Sequence, residues 1–403
     1  MLSIPPSLCL ECRGSKLLCG LAYCPIMVRF NLPNIVIDKD IEGSTPPSVF
    51  VGRIGYPKVS IGPLLPPVNE DTSIYDKPEE WSNLRLDEIL RFRLSLVRGS
   101  MLYNIDKARD PDNKLLKLQE LAIAKEPVNA DMRLEKIRNK PYINEHIPPF
   151  GPSGKLLSFN ASNPNVDKRI EKAWYDKDLK ASNAIIKLYD QKVPLSNIIK
   201  AFSIGMLGSK RRLVPTRWSI TAIDDTISKM LVKRVKEHAT INEYHVYVRK
   251  ASMNVFVAIL MPNRWQFEWI EAWFPNTTWN MQTYGEPEIL GDYEGYKGID
   301  HYANVGGCYY SARLATAEHL NNIRREASIL ILREIYPGFN LPIGVWFVRE
   351  QLRAMFNSKP MIFNNLDDAI NYAMSNLKIP LSKWREKSRI LQSFKQKRLI
   401  DYL

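Results

Sequence analysis

Four of the five cysteines lie close together near the start of the chain, at Cys9, Cys12, Cys19 and Cys24. A CxxC pair followed by two further cysteines can place four thiolates around one tetrahedral zinc ion. Four thiolates complete the coordination shell, so the spacing predicts a structural zinc and not a catalytic one. A disulfide pair and a redox CxxC are the alternatives; we rank them lower because no secretory signal is visible. The distant Cys308 is interpreted as a core residue.

The last eight residues, QKRLIDYL, form a second candidate binding site. They fit the pattern Q-x-x-h-x-x-a-a, where h is aliphatic and a is aromatic or large and apolar. One helical turn would place Leu399, Tyr402 and Leu403 on the same side, where they could enter one apolar pocket of a partner. Gln396 would form a hydrogen bond outside that pocket. The pattern predicts binding to a sliding clamp; the alternatives are a solvated helix end and an apolar tail packed on its own core.

Four carboxylates in the second half of the chain are the candidates for catalysis. Two-metal phosphodiester cleavage needs several carboxylates around ions about 3.5–4 Å apart. The candidates are Asp224, Asp225, Glu294 and Asp300. No spacing motif connects them, so helix capping, buried ion pairs and a solvated surface stay open as alternatives. The sequence therefore leaves both an enzymatic activity and a divalent metal in the core undecided.

Basic residues outnumber acidic ones, which gives the 403-residue chain a net charge of +13 and favours a polyanionic partner. Arg53 lies between Gly52 and Gly55, on a backbone open enough to approach a ligand. The candidates for binding nucleic acid or phosphate are Arg53, Arg211, Arg212, Arg217, Arg313 and Arg349. A solvated basic face is the alternative. The tryptophans between residues 265 and 273 are interpreted as core residues and not as a base-stacking platform.

The elements that must position these side chains are mixed. Prolines and glycines between residues 31 and 80 favour short strands joined by tight turns. Helical spacing is found over residues 84–98 and 165–203, and one or two further helices are predicted over 113–140. A helix is also predicted from Thr221, because Asp224 follows three residues later as in a capping box.

The second half of the sequence predicts a three-stranded antiparallel meander between residues 242 and 274. A strand over Cys308–Leu314 and a helix over Thr316–Ile335 are predicted next, followed by a strand and a helix between 344 and 356. The tail favours helices over 366–377 and 381–394. The predicted class is α+β, with a zinc knuckle at 1–30, an α+β core at 31–380, a basic helical linker at 381–395 and a clamp-binding peptide at 396–403.

Several stretches together resemble the archaeal Nre proteins over essentially the whole chain. They are the knuckle CLEC…CGLAYCP, the stretch VGRIGYPKVSIGPLLP, the central LVPTRWSITAIDD and the terminal QKRLIDYL. The resemblance implies an archaeal DNA-repair protein that docks on the sliding clamp PCNA through its C-terminal peptide. It also implies a zinc knuckle at the four N-terminal cysteines, but it does not define the molecular activity.

We therefore expect a cytoplasmic, nucleoid-associated DNA-repair protein whose core binds DNA and whose tail binds PCNA. The alternatives are a metal-dependent enzyme that cleaves or modifies DNA, and a non-enzymatic adaptor between PCNA and other repair proteins. No membrane association is expected. The longest apolar run, Val255 to Met261, is far shorter than the roughly 20 residues that a membrane span needs.

Overall fold

The structure is a computed structural model, which describes residues 4–14, 16–21, 24, 26 and 36–394. Within those ranges the chain forms twelve α-helices and two six-stranded sheets, which confirms the predicted α+β class. Two compact units are present. Unit 1 comprises the described parts of Met1–Phe30, Ser228–Pro342 and Val348–Leu403, and unit 2 comprises those of Asn31–Ile227 and Ile343–Phe347. The sequence interpretation had placed residues 31–380 in one core.

The elements alternate along the chain without an internal repeat. The helices are α1 (Pro6–Cys12), α2 (Leu86–Ser95), α3 (Asn113–Ala122), α4 (Lys168–Tyr175), α5 (Ala181–Asp190), α6 (Leu195–Ser203), α7 (Thr216–Val235), α8 (Gly307–Ile323), α9 (Trp346–Phe356), α10 (Leu366–Ser375), α11 (Leu381–Lys387) and α12 (Arg389–Ser393). The strands are β1 (Asp40–Thr45), β2 (Val49–Val51), β3 (Lys58–Leu65), β4 (Val97–Asn104), β5 (Val128–Arg138), β6 (Ser153–Ala161), β7 (Tyr244–Ala251), β8 (Asn254–Met261), β9 (Gln266–Trp273), β10 (Glu288–Glu294), β11 (Ser328–Ile335) and β12 (Met361–Phe363). Short 3-10 helices cover Ser73–Asp76, Pro78–Glu80 and Ile105–Arg109.

Unit 2 is built on a sheet in the order β1-β5-β6-β4-β3-β2, in which only β4 and β6 are parallel. The predicted short strands of the proline-rich region are confirmed in its described part, and α2 and α4 to α6 confirm the predicted helical regions. Of the one or two helices predicted over 113–140, α3 is present, but a second helix is not, because Val128–Arg138 is strand β5. Its alternate side chains Ala130, Met132 and Leu134 are buried in the sheet core, a period of two that indicates a strand.

Unit 1 contains the second sheet, in the order β10-β9-β11-β8-β7-β12. The predicted meander is not found, because β11 lies between β8 and β9, antiparallel to the first and parallel to the second. All residues of β11 are buried, so it lacks the alternation that distinguishes a half-buried strand from a helix. The tryptophans of the 265–273 segment are buried, which confirms their interpretation as core residues.

Two further predictions in unit 1 are wrong for a related physical reason. The segment predicted as a strand at Cys308–Leu314 belongs to α8, and most of the helix predicted at Thr316–Ile335 is divided between α8 and β11. Helix α8 is buried on nearly all sides, so its sequence shows no amphipathic period. No helix in the described part of the chain is both long and apolar enough to cross a membrane.

The described part of the segment predicted as a basic linker belongs instead to the core of unit 1. Trp384 of α11 and Ile390 and Leu391 of α12 are buried in the same cluster as the sheet. The buried carboxylate of Glu268 accepts hydrogen bonds from the backbone N–H of Arg389 at 2.7 Å and of Ile390 at 3.1 Å. This carboxylate satisfies the N-terminal amides of α12 and fixes the helix on β9.

Candidate nucleic-acid interface

Two stretches that are distant in sequence meet in unit 2, namely the loop after β2 and the start of α7. The backbone N–H of Val51 donates to Thr216 Oγ1 at 2.9 Å. Beyond it, the rings of Tyr56 and Trp218 lie 5.2 Å apart between centroids, tilted by 55°. Gly55 has φ +86°, a conformation that favours glycine and turns the loop between Arg53 and Tyr56. The contact brings together two stretches that carried the family resemblance.

This contact leaves aromatic rings exposed beside arginines. Tyr56 is 48% exposed and Trp218 is 44% exposed, although large aromatic side chains usually bury most of their area. Arg53 is exposed on the same loop, and Arg217 precedes Trp218 in the chain. We call Arg53, Tyr56, Arg217 and Trp218 the ring–arginine surface. Exposed rings next to guanidinium groups can stack on bases while the cations bind phosphates.

A third arginine lies beneath this surface and was not predicted as a site residue. Arg98 on β4 is only 8% exposed, and its Nη2 donates to Ser60 O and Ser60 Oγ, both at 2.9 Å. Its guanidinium lies over the ring of Phe50, 4.4 Å from the centroid. No carboxylate among the described residues pairs with Arg98, and burial lowers its pKa to about 10. The sequence interpretation had placed Arg98 at the end of the amphipathic helix predicted over residues 84–98.

Tyr142 is the residue whose pKa all three arginines influence. It stacks on Phe150 at 4.7 Å, and its ring centroid is 5.4 Å from that of Phe50. Burial raises the pKa of Tyr142, while the positive charges of Arg98, Arg53 and Arg217 act in the opposite direction. A partly compensating acid is present, since Arg217 Nη2 lies 3.5 Å from Glu145 Oε1.

The other predicted phosphate-binding arginines have different surroundings. Arg211 donates to the backbone carbonyl of Trp174, and the Nε of Arg212 lies 3.0 Å from Asp106 Oδ1 on the surface.

The remaining two predicted arginines are buried in unit 1. Arg313 Nη1 lies 2.8 Å from Glu294 Oε2, and its Nε donates to Ser228 Oγ at 3.1 Å. Arg349 Nε lies 3.1 Å from Glu350 Oε1. These contacts assign both guanidinium groups to the core of unit 1, and we do not include them in the interface.

The candidate catalytic carboxylates are not assembled into a metal site. Asp224 is buried and Asp225 half-buried on α7 in unit 2. In unit 1, Glu294 accepts from Arg313 and from Trp265 Nε1 at 3.0 Å, whereas the exposed Asp300 pairs with His301 at 2.9 Å. In the part of the chain that the structure describes, no three His, Cys, Asp or Glu side chains are placed to hold a metal ion.

The four N-terminal cysteines occupy one neighbourhood. Cys9 and Cys12 lie on α1, and Cys19 is followed by Gly20 with φ +73°. Burial raises the pKa of Cys9 to about 11, and the thiols of Cys24, Cys12 and Cys19 act in the same direction. Four thiols are the donor set of a structural zinc site, but among the described residues no three of them are placed to hold a metal ion. Zinc binding therefore stays a prediction.

The fifth cysteine lies elsewhere. Cys308 is buried at the start of α8, where it accepts a hydrogen bond from Arg13 Nη1 at 3.7 Å. This position agrees with its interpretation as a core residue. The predicted clamp-binding residues Gln396, Leu399, Tyr402 and Leu403 lie outside the described residues, so their interpretation also stays a prediction.

Comparison with known proteins gives one consistent family. The family described as "Archaeal Nre, N-terminal" matches residues 18–280, and that described as "Archaeal Nre, C-terminal" matches residues 294–402. DNA repair protein NreB of Archaeoglobus fulgidus is 43% identical over 399 residues, which cover 98% of this chain and 100% of that protein.

Two further relatives are more distant. DNA repair protein NreA of the same organism is 35% identical over 94% of this chain and 95% of its own length. NreA of Haloferax volcanii is 34% identical over 86% of both chains. No solved structure matches.

Proposed function

The chain belongs to the archaeal Nre family, and on this premise we propose that it acts in DNA repair and binds DNA through the ring–arginine surface. The named relatives are DNA repair proteins that align over most of their length. The observation that carries the proposal is the exposed ring pair Tyr56–Trp218, with Arg53 exposed on the same loop as Tyr56 and Arg217 next to Trp218 in the chain. The net charge of +13 supports a polyanionic ligand independently.

The chemistry of this surface suits a DNA strand with accessible bases. Tyr56 and Trp218 would stack on bases, a contact worth about 1–3 kcal/mol per base that tolerates any sequence. Arg53 and Arg217 would bind the phosphates on either side. Because phosphate contacts release counterions, the affinity should fall steeply as the salt concentration rises.

The two ends of the chain supply the other parts of the proposal. Cys9, Cys12, Cys19 and Cys24 would hold a structural zinc ion, for which their spacing and thiolate chemistry provide the support. The C-terminal residues Gln396, Leu399, Tyr402 and Leu403 would bind PCNA as a short helical turn. Such a tether raises the local concentration of the core at DNA without requiring high intrinsic affinity.

DNA binding by the purified full chain tests the proposal. We expect fluorescence anisotropy to show a single-stranded oligonucleotide binding with an affinity that falls as salt rises. A double variant, Arg53→Gln with Trp218→Ala, should weaken binding by about tenfold or more, which is 1.4 kcal/mol or more. The matched control is Arg325→Gln with Tyr284→Ala, since both residues are exposed in unit 1. Equal losses in both double variants would contradict the assignment, and a folded protein that binds no DNA would favour the adaptor role.

A further inference from the structure

Arg98 is an unusual buried cation, because no carboxylate among the described residues compensates its charge. Moving a guanidinium from water to the protein interior is costly unless an anion or several acceptors replace its hydration. The described partners of Arg98 are the two oxygens of Ser60 and the face of the Phe50 ring. None of these three groups is an anion, so the guanidinium of Arg98 has no counterion among the described residues. Arg98 Nε also has no hydrogen-bond partner among them. The surroundings of Arg98 are therefore incomplete in charge and in hydrogen bonding.

The loop of the ring–arginine surface lies directly beside this position. A methyl group added at Gly52 would lie 2.6 Å from Ser60 Oγ and 3.8 Å from Arg98 Nη2. Glycine thus lets the backbone before Arg53 lie against the Ser60–Arg98 pair. The first residue of α7 lies on the other side of the loop, because the backbone N–H of Val51 donates to Thr216 Oγ1. The N-terminus of α7 carries the positive end of the helix dipole.

The net charge of the side chains around Arg98 is positive, as an anion-binding site requires. Among the described residues no carboxylate pairs with Arg98 or Arg53, whereas Arg217 Nη2 lies 3.5 Å from Glu145 Oε1. Three guanidinium groups and one carboxylate leave two positive charges, which matches a phosphate monoester of charge about −1.5 to −2 at pH 7.

We propose that Arg98, Ser60 and Arg217 bind the terminal phosphate monoester of a DNA strand, with Arg53 over its entrance. The proposal deepens the proposed function, since the strand attached to that phosphate would continue over Tyr56 and Trp218. It makes the interface specific for strand ends, such as those left at nicks and gaps.

A terminal phosphate fits this position better than an internal one. An internal phosphodiester carries a single charge and has a nucleoside on each side, so it needs an open groove. Arg98 is 92% covered, and a group bound to it must enter end first. A phosphate monoester has three free oxygens, which can accept from a guanidinium fork and from a hydroxyl at once.

Three single-stranded oligonucleotides of one sequence would test this directly. They carry a 5′-phosphate, a 3′-phosphate or a hydroxyl at both ends, and binding to the full chain is measured by calorimetry at one salt concentration. We expect one of the phosphorylated strands to bind at least about tenfold more tightly than the hydroxyl strand, or 1.4 kcal/mol. Arg98→Lys keeps the charge but loses the planar fork, so the ratio between the affinities for the phosphorylated strand and the hydroxyl strand should fall towards one.

Two milder variants keep the test valid if Arg98 variants do not fold. Ser60→Ala and Gly52→Ala should each reduce the preference for the phosphorylated end, while Arg325→Gln should not. Hydroxyl and phosphorylated strands that bind equally would overturn the end site but leave DNA binding by the ring–arginine surface intact. Inorganic phosphate and thymidine 5′-monophosphate serve as further probes. If either binds as tightly as the phosphorylated strand, the assignment to a strand end is overturned in favour of a free phosphate compound.

Discussion

Arg13 Nη2 lies 2.6 Å from Glu271 Oε2, and both side chains are buried. The contact joins Arg13, the residue directly after α1, to strand β9. The second oxygen of Glu271 lies 2.9 Å from Arg333 Nη1, so two guanidinium groups share one carboxylate. Burial alone would raise the pKa of Glu271, but Arg13 and Arg333 hold it below its usual value. The cysteine-rich N-terminus is therefore bonded into the sheet of unit 1.

Removing Arg13 should destabilise unit 1. Arg13→Gln leaves the buried Glu271 with one guanidinium partner, and breaking a buried ion pair of this kind costs about 3–5 kcal/mol. Urea unfolding followed by circular dichroism measures the loss. Arg85→Gln is the control, since Arg85 pairs with Asp87 on the surface. Equal midpoints for Arg13→Gln and the parent protein would contradict a structural role for this pair.

Replacing cysteines should release zinc and also loosen the sheet. Cys12→Ser with Cys24→Ser removes two of the four proposed ligands, and structural zinc sites do not persist on two thiolates. Because Arg13 follows Cys12, we expect a lower melting temperature in addition to lost zinc. Metal analysis of the purified proteins measures the stoichiometry, with Cys308→Ser as the control that keeps its zinc. One zinc per chain in the double variant would refute the site.

Changes in the terminal motif should abolish clamp binding selectively. Leu399→Ala with Tyr402→Ala removes the apolar side chains proposed to enter the pocket of PCNA. Calorimetry with the cognate clamp should show at least about a hundredfold loss, or 2.7 kcal/mol. Asp401→Ala, at a position that the motif leaves free, should bind normally. Unchanged affinity of the double variant would remove the motif from the proposal, and DNA binding should be the same in all three proteins.

Stability should fall in mild acid because of a buried histidine. Burial lowers the pKa of His319 to about 4, and His245 acts in the same direction. Its ring stacks on Phe356, and its Nε2 lies 3.1 Å from the hydroxyl of Tyr247. The folded pKa lies below the unfolded value of about 6.5, so protonation favours unfolding. The contribution is complete above pH about 6.5 and is lost as the pH falls towards 4.

One substitution separates the contribution of His319 to the pH dependence of stability from that of the carboxylates. His319→Gln can still accept a hydrogen bond from Tyr247 but does not titrate. Between pH 7 and pH 4 the free energy of unfolding should fall less in this variant, by up to about 3 kcal/mol. Parallel pH profiles for the two proteins would show that His319 does not titrate on unfolding.

The sequence predicts the elements that have one exposed face and misses those that have none. Helices α2 and α10 show an amphipathic period, and both were found close to their true bounds. Helix α8 and strand β11 are covered on nearly every side, so hydrophobic periodicity could not distinguish helix from strand. The order of strands in unit 1 could not follow either, because inserting β11 between β8 and β9 depends on packing over a long sequence separation.

The candidate site shows the same limit. Arg53 and Arg217 were predicted from open backbone and local charge, and the structure brings their stretches together at Val51 and Thr216. Arg98 was assigned to an amphipathic helix because the preceding residues are helical. The usable signal was Gly99 and Ser100, which interrupt the helical period within the strand that begins at Val97.

The placement of the buried acids on β9 and β11 also determines when unit 1 can be finished during synthesis. Glu268 on β9 accepts hydrogen bonds from the backbone N–H groups of Arg389 and Ile390, at 2.7 and 3.1 Å. Glu334 on β11 accepts from those of Lys378 and Ile379, at 2.9 and 2.8 Å. During synthesis β9 and β11 leave the ribosome well before the residues that carry these N–H groups. Until then both carboxylates are hydrated or have other partners. Unit 1 also includes Arg13, made more than 250 residues before Glu271. The core of unit 1 is therefore completed only after almost the whole chain has emerged, and until then its central strands lack these partners.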